Sequence, residues 1–306
     1  MQGGGFWLTF VIVAKRYRYF DPADAARTGR LSFIARQVVE GIITGLHKSP
    51  HRGFSVEFSE HREYVPGDEI RHLDWQAYAR SDRYYIKLYE QETNLRAIIV
   101  LDTSSSMWFG NKHDYGRHIC ACLAYLLANQ QDQVGLVLLD EKIRLELPPG
   151  SSAAHLDRLF VELEKQEPGD NVGRATSIEL GLHELAERLP RRSLVILVSD
   201  LWLDPPQFAR ALQHLRYRRH QGLVLHLLDR TEVDLPYDRQ ITLQDLETGE
   251  KVQVSPGEIR HTYRQQVQDY LTNVRRCCSD CDMEYHTMYV QEPYEKALVR
   301  LINRRS

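Results

Sequence analysis

Two acidic residues of this sequence each follow a short apolar run, and hydroxyl groups follow the first of them at alternate positions. One run ends at Asp102, with Ser104 and Ser106 at a spacing of two residues, and a later run ends in a Ser followed by Asp200. Carboxylate and hydroxyl oxygens are hard donors, which suit Mg²⁺, Mn²⁺ or Ca²⁺ and not zinc or copper. The pattern therefore indicates a divalent-cation site. The alternative is that Asp102 only caps the helix that follows it.

The elements that must position these residues are buried strands alternating with helices. Short apolar runs rich in β-branched residues and Leu predict strands over 97–101, 134–139, 194–198 and 223–228. Helical stretches lie between most of them, at about 113–131, 153–165, 178–189 and 206–219. This alternation predicts an α/β fold with a doubly wound, mostly parallel sheet. The segment 143–147 follows its predecessor too closely for a crossover helix, so we expect it to pair antiparallel at an edge.

This sheet would bring the two acidic residues together. Ligands of an open parallel sheet bind beyond the carboxyl ends of its strands, where the strand order reverses. In the common doubly wound order the first and fourth strands meet there, so we expect Asp102 and Asp200 to face each other. Thr176, at the start of another helix, is expected to complete the rim. Because Mg²⁺ takes six oxygens, five side chains leave a position open for a carboxylate of a partner protein.

The remaining segments suggest three parts of the chain. Residues 1–20 are predicted to be a dispensable extension. Residues 21–92 are predicted to hold a helix, to about Gly45, and a β-hairpin with alternating strands at 54–58 and 84–88 around a Pro-Gly-Asp turn. Residues 93–306 form the sheet domain, with a hairpin inserted near 231–255, and with a helix at 258–277, a strand at 284–290 and a helix at 294–303 near its end.

Composition excludes several classes of function. The 306 residues carry a net charge of −3, which gives no electrostatic basis for binding nucleic acid or an anionic membrane. Five Cys fit a reducing compartment, and the apolar run 6–14 is far shorter than the roughly 20 residues of a spanning helix. We therefore expect a cytoplasmic protein with no membrane span. Phosphate-binding and nucleophile-elbow Gly motifs are missing from the sequence, which argues against nucleotide binding.

The motif Asp102-Thr-Ser-Ser-Ser-Met107, with Thr176 and Asp200, resembles the metal-ion-dependent adhesion site of von Willebrand factor A domains. The blocks 53–58, 62–68, 71–75, 79–80, 235–236 and 245–249 resemble the bacterial family called domain of unknown function 58. That resemblance implies a von Willebrand A-like fold and association with MoxR-type AAA+ ATPases. Many members of the family have N-terminal membrane helices, which this sequence lacks.

Three other groups of residues invite a functional interpretation. Five residues around one Trp form a dense polar patch, which we interpret as a buried ion-pair network: Asp68, Arg71, Asp74, Trp75 and Arg80. The C-x-x-C of Cys278 and Cys281 lacks a second pair of ligands for zinc, so structural thiols are expected. The four His residues between 47 and 72 match no compact ligand motif.

These observations favour a metal-dependent protein-binding module, serving as an adaptor for a MoxR-type AAA+ ATPase. The runner-up is an enzyme, in which Asp102 and Asp200 hold Mg²⁺ for phosphoryl transfer or hydrolysis. No Lys or Arg flanks the motif to neutralise a phosphoryl group, which counts against that alternative. The third possibility is a structural domain with a vestigial site.

Overall fold

The computed structural model describes residues 30–47, 61–63, 85–87, 95–166, 178–190, 192–244 and 251–304. Its strands are β1 (His61–Glu63), β2 (Tyr85–Lys87), β3 (Arg96–Asp102), β4 (Gln133–Leu139), β5 (Ile143–Gly150), β6 (Leu194–Ser199), β7 (Gln221–Leu228), β8 (Ile241–Gln244), β9 (Lys251–Val254) and β10 (Glu284–Tyr289). Its α-helices are α1 (Arg30–His47), α2 (Lys112–Asn129), α3 (Ala153–Glu164), α4 (Ile178–Arg188), α5 (Pro205–Tyr217), α6 (Arg230–Asp234), α7 (Pro256–Asp280) and α8 (Tyr294–Arg304). A single 3₁₀ turn, Ser105–Trp108, follows β3 in the described part of the chain.

The central sheet has six strands in the order β10-β7-β6-β3-β4-β5. Only β5 runs antiparallel to its neighbour, and it lies at an edge, as predicted. Counted along the chain, the strands stand in the order 3-2-1-4-5-6, which is that of doubly wound folds. This confirms the predicted von Willebrand A-like architecture. The order reverses between β3 and β6, which pair in parallel.

Both faces of the sheet are covered, which is why its central strands are continuously apolar. Alternate residues of β3 point to opposite sides. Ile99 and Leu101 join the core formed with α1, α2, α3 and α8. Ile98 and Val100 join the core formed with α4, α5 and α7, where Phe208 is fully buried. The strand ends are therefore held from both sides.

The inserted segment near 231–255 differs in part from the prediction. It contains the antiparallel hairpin β8–β9, as expected, but a short helix, α6, precedes the hairpin. Asp229 caps this helix by accepting from the Thr231 amide, while the Glu232 side chain accepts from the Asp229 amide. That reciprocal pair of hydrogen bonds is a capping box, which the spacing Asp229-x-x-Glu232 in the sequence indicates.

The N-terminal region is described only in part. Strand β1 pairs antiparallel with β2, and β2 lies inside the predicted strand 84–88. The predicted strand 54–58, the turn after it, the extension 1–20 and the polar patch of Asp68–Arg80 lie outside the described residues. Within the described ranges, no helix has the length and apolar character needed to cross a bilayer.

Candidate metal centre

The ends of β3 and β6 bring Asp102 and Asp200 to the same edge of the sheet. Leu101 is in register with Val198, so the end of β3 at Asp102 lies beside the end of β6 at Ser199. The Ser199 hydroxyl donates to Asp102 Oδ2 at 2.5 Å. The two carboxylates thus meet where the strand order reverses, which was the geometric expectation.

Asp102 is buried, and its hydrogen-bond partners in the described part of the chain are neutral groups. The backbone amide of Ser104 donates to its Oδ1 at 2.8 Å, in addition to the bond from Ser199. Burial, together with the negative charge of Asp200, raises the pKa of Asp102 to about 7, against the lowering effect of these hydrogen bonds. The charge of this carboxylate therefore lacks a compensating cation among the described residues.

Hydroxyl groups connect the two carboxylates. Ser104 Oγ lies 3.1 Å from Ser106 Oγ, and Ser106 Oγ donates to Asp200 Oδ1 at 3.1 Å. Thr103 points away, because its hydroxyl donates to the Leu139 carbonyl at 3.2 Å. This alternation explains why the motif needs a hydroxyl at every second position.

The spacing of these oxygens fits a small hard cation. Adjacent ligands of an octahedral Mg²⁺ ion, with bonds of about 2.1 Å, lie about 3.0 Å apart. The observed separations of 3.1 Å, from Ser104 to Ser106 and from Ser106 to Asp200, are close to that value. Asp102, Ser104 and Asp200 are buried and Ser106 is half-buried, so the group comes nearest to the surface at Ser106. Asp102, Ser104, Ser106 and Asp200 are thus the described residues suited to hold such an ion.

A cation that sequence analysis missed lies on the other side of Asp200. The ammonium of Lys112, fully buried at the start of α2, donates to Asp200 Oδ2 and to Glu232 Oε1, both at 2.7 Å. Burial disfavours its charge, but Asp200 and Glu232 outweigh that effect and raise the pKa of Lys112. The sequence places no Lys or Arg directly beside the motif, but helix α2 brings the Lys112 ammonium next to Asp200 at the strand ends.

Local contacts around α6 fix Glu232, one of the two partners of Lys112. Gly110, just before α2, has a positive φ of 60°, and a Cβ there would lie 2.6 Å from Asp229 Oδ2. Glycine therefore permits the close approach of this turn to the N-cap of α6. On the far side of α6, the Tyr263 hydroxyl donates to the Glu232 carbonyl at 2.6 Å. These contacts hold Glu232 next to Lys112.

The backbone of Asp200 rests on a neutral histidine. His226 Nε2 lies 2.7 Å from the Asp200 carbonyl, and His226 Nδ1 lies 2.7 Å from the Tyr285 hydroxyl. A carbonyl cannot donate, so Nε2 donates to it and Nδ1 accepts from Tyr285. Burial lowers the pKa of His226 to about 4, which keeps it neutral at physiological pH. This pair orients Asp200 without adding charge.

Two Trp residues flank the site in sequence, and each packs on a ring of the sheet domain. Trp108 stacks on His113, with ring centroids 3.8 Å apart, and Trp202 stacks on Tyr270, with centroids 5.3 Å apart. The Tyr270 hydroxyl also donates to the Leu201 carbonyl, which fixes the loop after Asp200. Both Trp side chains are half-buried and stacked on another ring, so neither projects freely into solvent.

The other residues that the sequence marked as functional candidates do not join this group in the described part of the chain. Thr176 and the polar patch Asp68–Arg80 lie outside the described residues. Cys278 and Cys281 are free and buried at the end of α7, where burial raises the pKa of both thiols. Among the residues that the structure describes, no three His, Cys, Asp or Glu side chains come together as a metal-binding group. The expected structural role of these thiols stays a prediction.

Comparison with known proteins places the chain in a family. A sequence model described as "Protein of unknown function DUF58" matches residues 60–272, which is more than half of the chain. This chain belongs to the DUF58 family. Two relatives are uncharacterized proteins, Rv1480 of Mycobacterium tuberculosis and Mb1516 of Mycobacterium bovis. Each is 23% identical over 288 residues, which cover 92% of this chain and 90% of the relative.

Solved structures also align with this DUF58 protein. The conserved hypothetical protein BatB from Bacteroides thetaiotaomicron is 16% identical, with a TM-score of 0.47, over 69% of this chain and 98% of that one. The SpRpn10 VWA domain is 11% identical, with a TM-score of 0.39, over 68% of this chain and 95% of that one.

Proposed function

We propose that this DUF58 protein is a metal-dependent protein-binding module. Asp102, Ser104, Ser106 and Asp200, completed by Thr176, would hold Mg²⁺, with Mn²⁺ or Ca²⁺ as alternatives. The observation that carries the proposal is the row of oxygens from Ser104 through Ser106 to Asp200, with separations of 3.1 Å. When bound, the ion supplies a positive charge at this row of oxygens.

The proposed ligand of that charge is an acidic side chain of another protein. Hydroxyl ligands are neutral, so an ion held largely by them keeps an attraction for a further carboxylate. Family resemblance suggests the partner: a MoxR-type AAA+ ATPase, or a protein on which that ATPase acts. The protein would then serve as an adaptor.

The enzymatic alternative has one observation in its favour. Lys112 places an ammonium within 2.7 Å of Asp200, and phosphoryl-transfer sites need such a cation. Its other contact, with Glu232 at 2.7 Å, leaves the ammonium engaged by two carboxylates, so it is not free to bind a phosphoryl group. Turnover of p-nitrophenyl phosphate in the presence of Mg²⁺, lost in Asp102→Asn, would favour the enzyme over the binding module.

A binding assay with purified proteins tests the adaptor proposal. The full chain is immobilised and a MoxR-type ATPase from the same genome is captured with Mg²⁺ or with EDTA. We expect capture only with Mg²⁺, and strongly reduced capture by Ser104→Ala, which removes one hydroxyl ligand. Thr103→Val is the matched control, since its hydroxyl points to Leu139. A complex that survives both EDTA and Ser104→Ala would remove the metal site as the docking point and favour the polar patch Asp68–Arg80.

A further inference from the structure

Lys112 is a fixed positive charge inside the candidate metal centre. A lysine is almost never fully buried unless its charge is paired. Here the pairing is complete: Nζ contacts Asp200 Oδ2 and Glu232 Oε1, each at 2.7 Å. Of these two partners only Asp200 belongs to the proposed metal ligands, so the ion pair with Glu232 is additional to what a cation would require.

The contacts of Asp200 divide its two oxygens between two tasks. Oδ2 accepts from Lys112, whereas Oδ1 accepts from Ser106 and so belongs to the row of hydroxyls. Lys112 therefore orients the carboxylate and leaves one of its oxygens for a metal ion. Glu232 in turn holds Lys112 from the side of α6 and, unlike Lys112, retains partial access to solvent.

The charges of these side chains act on a cation in opposite directions. When ionised, Asp102, Asp200 and Glu232 attract a divalent ion, whereas Lys112 repels it. Charges at such short range interact strongly in a site of reduced dielectric constant. Removing Lys112 should therefore strengthen the attraction for the ion, and removing the charge of Glu232 should weaken it.

We propose that Lys112 and Glu232 form a built-in regulator of metal affinity, with Lys112 as a positioning residue that orients Asp200 and limits how tightly the ion binds. The inference rests on the proposed metal-binding function and deepens it. A lysine that offsets one carboxylate leaves the bound ion with more positive charge for an acidic partner. The negative charge of Glu232 offsets that of Lys112, so the repulsion between Lys112 and the ion does not abolish metal binding.

Titration with Mn²⁺ alone, by calorimetry on the full chain, tests the regulator. We expect the dissociation constant of Lys112→Met to fall at least about tenfold below the wild-type value, and that of Glu232→Gln to rise about tenfold. Glu258→Gln is the matched control, because it removes the same charge from an exposed side chain at the start of α7. Its dissociation constant should equal that of the wild type.

The opposite signs separate this inference from a purely structural role. Loosening of the site would weaken binding in both variants, so weaker binding in both, or no change in either, would overturn it. If Lys112→Met does not fold by circular dichroism, Lys112→Gln takes its place, since the amide removes the charge and can still donate a hydrogen bond to a carboxylate. Failure of the wild type to bind Mn²⁺ would instead refute the metal-binding function itself, and the regulator with it.

Discussion

Two buried aspartates end neighbouring strands of one sheet, yet their surroundings differ. Asp102 is held by the amide of Ser104 and by the hydroxyls of Ser199 and Ser104, all of which are neutral. Asp200 is held by a hydroxyl and by the ammonium of Lys112. Among the described residues, the carboxylate of Asp200 thus has a compensating cation and that of Asp102 has none. A bound cation would therefore chiefly compensate the negative charge of Asp102.

This difference indicates separate roles for the two halves of the centre. The Asp200 half is preorganised, since Lys112, His226 and Ser106 fix its side chain and backbone without a metal. In the Asp102 half, burial and the negative charge of Asp200 both disfavour the ionised form of Asp102, so the two carboxylates repel each other. A bound metal ion would relieve that repulsion, so the free energy of metal binding and the stability of the fold would be coupled.

The largest expected effect is a difference in stability between two variants that each remove the charge of one aspartate. In EDTA, Asp200→Asn should lower the free energy of unfolding by roughly 3 kcal/mol, because the buried ammonium of Lys112 loses one of its two carboxylates. Asp102→Asn, of the same shape, should leave stability unchanged or raise it, because it removes a repelling charge. Urea unfolding of the two variants and the wild type measures both values. Equal losses in the two variants would contradict the proposed difference.

A smaller effect is expected in the pH dependence of the metal-free protein. The pKa of Asp102 in the folded state, about 7, lies above its ordinary value of 3.8. The folded state therefore binds this proton more tightly, so stability falls as pH rises from about 4 to 7. The loss should be at least about 1 kcal/mol, the equivalent of one pKa unit, relative to Asp102→Asn. Urea unfolding across this pH range checks it, and parallel curves for the two proteins would argue against the shifted pKa.

Much of this geometry was predictable from local patterns. Apolar runs predicted the central strands, and the short spacing before Ile143 predicted the antiparallel edge strand. The doubly wound order then placed Asp102 beside Asp200. Each inference uses residues close in sequence together with one rule of sheet topology, which is why it succeeded.

Lys112 escaped prediction because its contacts join distant parts of the chain. Its partners, Asp200 and Glu232, follow it by 88 and 120 residues. A lysine at the start of a helix is ordinarily exposed, and nothing in its neighbourhood marks it as buried. Glu232 had a local signal, the capping box with Asp229, but that signal predicts a helix and not an ion pair. The predicted role of Thr176 lies outside the described residues and stays a prediction.

The most direct test of the metal centre is a titration of the full chain with Mn²⁺. Binding is measured as the decrease of the free-ion signal in electron paramagnetic resonance. We predict that the wild type and Thr103→Val bind with the same affinity, since the Thr103 hydroxyl faces Leu139. Asp102→Asn should bind at least about tenfold more weakly, because it removes the carboxylate that lacks a cation within the described structure. Equal binding by all three proteins would contradict the assignment of the site.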